Sequence, residues 1–340
     1  MSADVSAIVV NHNGLGYVLE AVQSLLDQDL PGIEVIVVDN GSSDGSDAAL
    51  EQRFGGALTL IRAGRNTGFG AGNNLGIRQS TGRHVLLLNS DAAAAPSFAR
   101  EMVAAAEADT RVGMVAARVL DYDRRDVIDT AGHLLYPDGL NRGRGRLEAD
   151  RGQYDACRTA LFPSGAAALY RRAMLDEIGL FDESFFIYGD DAELGLRGRL
   201  AGWTCAFAAR AVAYHRYSRT AGPHSSLKAF YVERNRVLVL FKVFPARLIC
   251  ASPAYTAARL GLHAWGVLTG QGAAARLAES RSPAHLVALT LRAWGSALRA
   301  LPGALRERRR ARPLRRLSTA AFRALLAEHR LTAREAALKD

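Results

Sequence analysis

The chain has 340 residues, 49% of them apolar, and a formal net charge of +9. It can bury the core of one large domain or two, and it is too apolar for an intrinsically disordered chain. No stretch supplies the roughly 20 uninterrupted apolar residues of a membrane span: the nearest, 248–268, is broken by Pro253, Arg259 and His263.

The start, Met1-Ser2-Ala3-Asp4, lacks the basic region of a secretory leader, and Ala7 to Val10 is too short for its apolar core. Val5 to Val10 reads instead as a first strand, turning at Asn11-His12-Asn13-Gly14. Leu15, Val18, Leu19, Val22, Leu25 and Leu26 recur at helical spacing up to Pro31-Gly32. A second strand, Ile33 to Val38, ends in the turn formers of Asp39 to Ser46, and a helix through Leu50 follows. A third strand covers about 58–61. Arg65 to Asn74 comes next, then a helix to Gln79 and the fully apolar strand His84 to Leu88. Short alternating strands and helices of this kind predict an α/β, doubly wound domain. Gly68, Gly70 and Gly72 lack the G-x-G-x-x-G spacing and do not follow the first strand, which argues against a dinucleotide fold.

Asp91 lies just past the His84–Leu88 strand, where open α/β sheets bind ligands. Its spacing also fits a cap for the helix predicted over Pro96 to Glu107. After a strand near 112–116 the pattern loosens, and 118–160 reads as a long functional or disordered loop. Order returns with a strand through Tyr170 and a helix over 172–178. The aromatic run Phe185 to Tyr188 then leads to Asp190, Asp191 and Glu193 at the start of a helix. These acids suit caps, and equally a general base kept partly dry by the aromatics. His215 follows a strand at Val212 to Tyr214. With Asp91 it would make an oxygen-and-imidazole set suited to Mn²⁺ or Mg²⁺.

From Leu227 the chain is helical, with Leu, Ala and Trp on one side and Arg on the other. Seven arginines crowd 306–316. This pattern matches a helix lying on an anionic membrane surface; a helical subdomain or a homo-oligomer contact would use the same faces. No nucleic-acid-binding motif accompanies the arginines. Cys157, Cys205 and Cys250, odd in number and unpatterned, fit neither a disulfide framework nor a zinc site and suit a reducing compartment.

Several motifs in order carry a resemblance over residues 4–245. They are Val9-Val10-Asn11-His12-Asn13, Val37-Val38-Asp39-Asn40-Gly41-Ser42-Ser43-Asp44, Asn66-Thr67-Gly68-Phe69-Gly70 with Asn73-Asn74, Leu88-Asn89-Ser90-Asp91, Tyr188-Gly189-Asp190-Asp191 and His215. Together they resemble the family 2 glycosyltransferases of GT-A fold, close to the bacterial rhamnosyltransferase branch. The resemblance implies a catalytic domain over 1–226, with a donor half to about 117 and an acceptor half over about 161–226. A basic helical region over 227–340 would follow it.

The resemblance also implies roles. Asn11, Asn13 and Asp39 would hold the nucleotide, and Asn66 and Asn73 would line the donor pocket. Asp91 and His215 would bind a divalent cation, Mg²⁺ or Mn²⁺, and Asp191 would be the general base of an inverting transfer. Asn89 stands at the first position of a D-x-D-type motif and Asp190 where Glu is usual; with Glu193 they would support these groups. The implied donor is a nucleotide-diphospho-sugar, dTDP-L-rhamnose first, with UDP-galactose or its furanose isomer, UDP-N-acetylglucosamine and GDP-mannose as alternatives. A polyprenyl-linked glycan would be the acceptor, at the cytoplasmic face of the plasma membrane. A binding module of the same fold without turnover is the other reading.

Overall fold

The computed structural model describes residues 4–217, 225–279 and 281–339. Met1, Ser2 and Ala3, on which part of the reading of the N-terminus rests, lie outside these. The chain divides into two compact units: Met1–His133 with Gly143–Thr220, and Leu134–Arg142 with Ala221–Asp340.

In the first unit the strands are β1 (Val5–Asn11), β2 (Ile33–Asp39), β3 (Thr59–Arg62), β4 (His84–Leu88), β5 (Ala92–Ala94), β6 (Val112–Asp121), β7 (Ile128–Thr130), β10 (Ala167–Arg171) and β11 (Thr204–His215). They form one nine-stranded sheet ordered β3-β2-β1-β4-β10-β6-β11-β5, with β7 beside β6. Its helices are α1 (Val18–Leu26), α2 (Ser46–Phe54), α3 (Phe69–Gln79), α4 (Phe98–Glu107), α5 (Arg172–Ile178) and α6 (Asp190–Leu200). β1, β2, β3 and β4 run parallel, and β10 is antiparallel to both β4 and β6. The central strands are buried along their length, as expected of a sheet covered on both faces.

The glycines of α3 are packing residues. A Cβ on Gly72 would lie 2.7 Å from Val10, and one on Gly76 2.6 Å from Ile8. Glycine at these two positions therefore lets α3 lie directly on β1.

Two expectations are corrected here, and Ala92–Ala94 adds a further strand, because pairing with β11 overrides alanine's weak strand preference. β6 extends to Asp121, and 118–160 is no open loop. It holds β7 and the ribbon of β8 (His133–Leu135) with β9 (Asn141–Gly143). The runs around Thr204 and His215 are one strand, bent by a register shift between Ala208 and Val212.

The second unit is built on α7 (Ser226–Val243), α8 (Ala246–Thr269), α9 (Gly272–Glu279), α10 (Pro283–Arg310), α11 (Thr319–Glu328) and α12 (Ala333–Leu338). Among the described residues no helix is long and apolar enough to cross a membrane. α10 is amphipathic in an inverted sense: it buries Ala293, Ala297 and Ala304, while the larger Val287, Leu291 and Leu298 are exposed. Two arginines of the 306–316 run turn inward. Arg308 donates to the Phe244 carbonyl (2.6 Å) and Arg315 to that of Lys242 (2.9 Å); burial pushes Arg315 down to about 10.

The core of this unit contains charge. Glu233 accepts from Arg259 (3.0 Å), from the Trp294 indole (2.6 Å) and from Arg236, and Asp138 accepts from Arg259 (2.7 Å). Burial alone would raise the Glu233 carboxyl, but Arg259 and Arg236 overcome it and hold it at about 2, from an ordinary 4.5. A depressed acid contributes stability that is present above its ordinary pKa of 4.5 and lost as pH falls towards 2.

Two outcomes follow for stability. Gly76→Val should cost about 1–3 kcal/mol in denaturant unfolding, since the added methyls meet Ile8. Glu233→Gln should cost about 3–5 kcal/mol at neutral pH by stranding buried guanidinium groups, and should flatten the acid limb of the melting profile.

Candidate active site

The carboxyl ends of β1, β2 and β4 share one edge of the sheet, and the residues that follow them are hydrogen-bonded into a frame. Asn11 donates to Ser46 Oγ (2.8 Å) and Ser42 Oγ (3.1 Å), and buried Asp39 accepts the Ser42 N–H (3.2 Å). Asn13 has left-handed backbone, with φ 53, a region open to asparagine more than to most residues. Its side-chain carbonyl accepts the Ser43 N–H (2.8 Å). These three residues brace the β1 and β2 turns against one another. Asn66 caps the neighbouring turn, accepting from Gly68 N–H (2.9 Å) and Asn40 (3.2 Å). Asn73 is buried within α3, donating to the Phe69 carbonyl (3.0 Å).

Asn40 joins these turns. It is buried, donates to the Asn66 side chain and the Gly68 carbonyl, and accepts from the Thr67 N–H (2.9 Å) and hydroxyl (2.8 Å). Sequence reasoning quoted it within a motif but gave it no role.

Asp91 does not cap a helix, since Ser97 stands at the α4 N-cap. The β5–β11 register sets His215 opposite Ala92, one residue past Asp91. Asp91 Oδ1 thus lies 3.3 Å from His215 Nε2, with Asn89 Nδ2 3.4 Å from the same nitrogen. His215 Nδ1 bonds Asp129 Oδ2 at 2.7 Å. Burial would depress the imidazole, but the charges of Asp91 and Asp129 overcome it and push its pKa up to about 10. Holding a divalent cation at Nε2 would require that nitrogen to release its proton.

Among the described residues no group of three or more His, Cys, Asp or Glu is arranged to hold a metal ion. Asp91 and His215 supply one carboxylate oxygen and one imidazole nitrogen. Such a pair suits a hard divalent cation that takes its remaining ligands from phosphate and water. Asp129 stands behind the histidine, on the side away from Asp91.

A second pair of acids opens α6. Gly189, with φ 77, is the N-cap residue. Phe186 (φ 64) and Tyr188 (φ 65) precede it, both in the left-handed region that side chains rarely adopt. Asp191 accepts the Gly165 N–H (3.1 Å) and the Ala192 N–H (2.8 Å). Next to Gly165, the Ala166 carbonyl accepts the Asn89 N–H (3.0 Å), so the turn before β10 touches both acidic corners. Asp190 is buried, and its Oδ2 has no hydrogen-bond partner among the described residues. Burial, and after it the charge of Asp191, push Asp190 up to about 8, so it keeps its proton at neutral pH.

Glu193 bridges to Arg197 (2.9 Å), which in turn caps the carbonyl of Leu180 (2.7 Å), and its charge adds to the field on Asp190. Two groups that the sequence did not flag, buried Tyr170 and half-buried His133, lie in the field of Asp191. Tyr170, on β10, is raised by burial and then by that charge. His133, stacked on Phe162 with ring centroids 5.0 Å apart, is lowered by burial against the pull of Asp191 and Asp129.

Comparison with known proteins bears on this arrangement. The family model described as Glycosyl transferase family 2 matches residues 6–179. A Sinorhizobium fredii protein, y4gI, is 30% identical over 234 residues, covering 64% of this chain and 25% of its own length. The chain thus spans a quarter of that relative. The N-acetylglucosaminyl-diphospho-decaprenol L-rhamnosyltransferase of Mycobacterium tuberculosis is 28% identical over 229 residues, covering 58% of this chain and 72% of that enzyme. Among solved structures, S. aureus TarS 1–349 with UDP superposes with a TM-score of 0.54 at 19% identity, covering 97% of this chain and 91% of that one. GalNAc-T7 with UDP, GalNAc and Mn²⁺ gives 0.57 at 17%, covering 71% and 48%.

Asn40→Ala should untie the β2 turn from the 66–68 turn. Loss of its bonds from a buried position should cost about 2–3 kcal/mol in thermal or denaturant unfolding. Conservative Asn40→Asp, which keeps the acceptor alone, should recover part of that loss.

Proposed function

Because the chain belongs to glycosyl transferase family 2, we propose that it transfers one sugar, with inversion, from a nucleotide-diphospho-sugar to a hydroxyl of a lipid-linked or polysaccharide acceptor in cell-surface glycan synthesis. Its first unit has the GT-A fold. The observation that carries the reading is the pairing of two acidic corners on one sheet edge: Asp91 with His215, and Asp191 with the buried Asp190.

In the reaction the acceptor oxygen attacks the anomeric carbon as the bond to the diphosphate breaks, and the nucleoside diphosphate leaves. The attacking hydroxyl loses its proton to Asp191, which two backbone N–H groups hold in an acceptor orientation. Asp190 contributes by staying neutral, which spares Asp191 a like charge beside it. Asp91 and His215 would hold a Mg²⁺ or Mn²⁺ ion, which supplies charge stabilisation for the leaving diphosphate when bound. Asn11, Asn13, Asp39 and Asn66 would shape the nucleotide end through the turns they brace. Asn73 would act there through its hold on the start of α3.

dTDP-L-rhamnose is the donor we favour, supported by the mycobacterial relative. UDP-galactose, its furanose isomer, UDP-N-acetylglucosamine and GDP-mannose are the competing donors. For the second unit we infer peripheral attachment to the cytoplasmic face of the plasma membrane. The exposed Val287, Leu291 and Leu298 are flanked on α10 by exposed Arg292 and Arg299, and exposed Arg306, Arg309, Arg312 and Arg316 follow. An apolar stripe bordered by cations fits an anionic lipid surface.

Three measurements test these readings. Across a panel of nucleotide-sugars with Mn²⁺ or Mg²⁺, one donor should be turned over. Asp191→Asn should lower kcat about 10²–10⁴-fold, and Asp91→Ala or chelator should abolish turnover; failure to bind any nucleotide-sugar would overturn the assignment. Product stereochemistry read by NMR should show inversion. Leu291→Glu with Leu298→Glu should release the protein from anionic vesicles while leaving its sedimentation unchanged; loss of a dimer instead would assign the stripe to a second copy.

A further inference from the structure

The carboxylate of Asp129 belongs to the stretch that reads in sequence as a loose loop, yet it is buried against the histidine of the proposed cation site. Its position is fixed by the sheet. β7 pairs antiparallel with β6, setting Val119 opposite Thr130 and Leu120 opposite Ile128. β11 pairs parallel with the same strand, setting His215 opposite Asp121. One strand therefore registers both residues.

Each oxygen of Asp129 has its own partner. Oδ2 takes His215 Nδ1 at 2.7 Å, and Oδ1 takes the Arg146 guanidinium. Arg146 arrives on a segment that runs back along β7: the Leu147 N–H donates to the Ile128 carbonyl and the Ile128 N–H to that of Glu148, both at 2.8 Å. Its guanidinium lies over the Tyr217 ring, 3.7 Å from the centroid, where the ring face attracts a cation. Both oxygens of Asp129 are thus engaged by side chains of the first unit.

We propose that Asp129 is a positioning residue: it fixes the His215 ring so that Nε2 faces Asp91, and Arg146, braced on Tyr217, holds Asp129 in turn. An imidazole can present either nitrogen, and a carboxylate on one of them selects the other. The consequence for cation binding rests on the site proposed above; the ring orientation does not.

The test uses the full chain in wild-type, Asp129→Asn, Arg146→Gln and Asp91→Ala forms, each checked for folding by its melting temperature. Mn²⁺ alone is titrated by electron paramagnetic resonance, and the metal-free protein labelled with ¹⁵N-histidine is examined for the His215 Nδ1 proton, assigned by its absence in His215→Gln. Asp129→Asn should weaken Mn²⁺ about 10–100-fold and remove the strongly deshielded ring-proton signal. Arg146→Gln should weaken Mn²⁺ less and shift that signal. Mn²⁺ affinity lost in Asp91→Ala but unchanged in Asp129→Asn would overturn the proposal with the cation site intact. If Mn²⁺ binds no form, the cation site fails and the ring proton decides alone: its persistence in Asp129→Asn overturns the positioning role, its loss supports it. Should Asp129→Asn not fold, an unshifted signal in Arg146→Gln overturns it.

Discussion

A histidine ring buried between two carboxylates is the constraint around which the first unit is arranged. Burying a charge alone is prohibitive, and buried charges are tolerable only when each is paired and hydrogen-bonded. Asp91 comes from the end of β4, His215 from the end of β11 and Asp129 from β7, so three separate parts of the chain must arrive in register. The sheet accomplishes this by reversing direction at β10, which lets the parallel β1–β4 half and the β6–β11 pair end on one edge. The alanine strand β5, too plain to announce itself, ties Asp91 to His215.

The acids of α6 follow a different logic. They lie side by side at a helix start, where the helix field favours negative charge, yet one is deeply buried and the other accepts two backbone N–H bonds. Environment thus divides two identical side chains into a neutral acid and an acceptor, the usual route by which neighbouring carboxyls take different roles. The cost sits in Phe186 and Tyr188, whose left-handed backbone is held by the surrounding packing. The Phe69 N–H bonds the Phe186 carbonyl at 2.6 Å, so the strained turn is stitched to the start of α3.

Much of this could be read from residues alone, because the signals were local. An unbroken apolar run at 84–88 demanded a buried strand, and the acid beyond it demanded attention; His215 stood out by following a strand. What escaped notice depended on distant partners. Asp129 lies in the triplet Ile128-Asp129-Thr130, too short for any periodicity, and only pairing with β6 gives it a place. Ala92–Ala94 had no strand preference to reveal it. Arg308 and Arg315 looked like the rest of a basic run, and Trp294 like a simple apolar residue; backbone carbonyls and Glu233 redirected them. The reason for Gly72 and Gly76 lay equally far off in sequence, in Val10 and Ile8 of β1.

The two faces of α10 carry a consequence for how the second unit behaves in solution. Alanines make its inner seam, leaving the larger apolar side chains in water beside arginines. Those two kinds of surface respond to electrolytes in opposite directions: added ions screen the arginines, whereas sulfate and other strongly hydrated anions strengthen apolar association. Adhesion through this helix would therefore depend on which salt is present as well as how much, with chloride loosening it and sulfate tightening it.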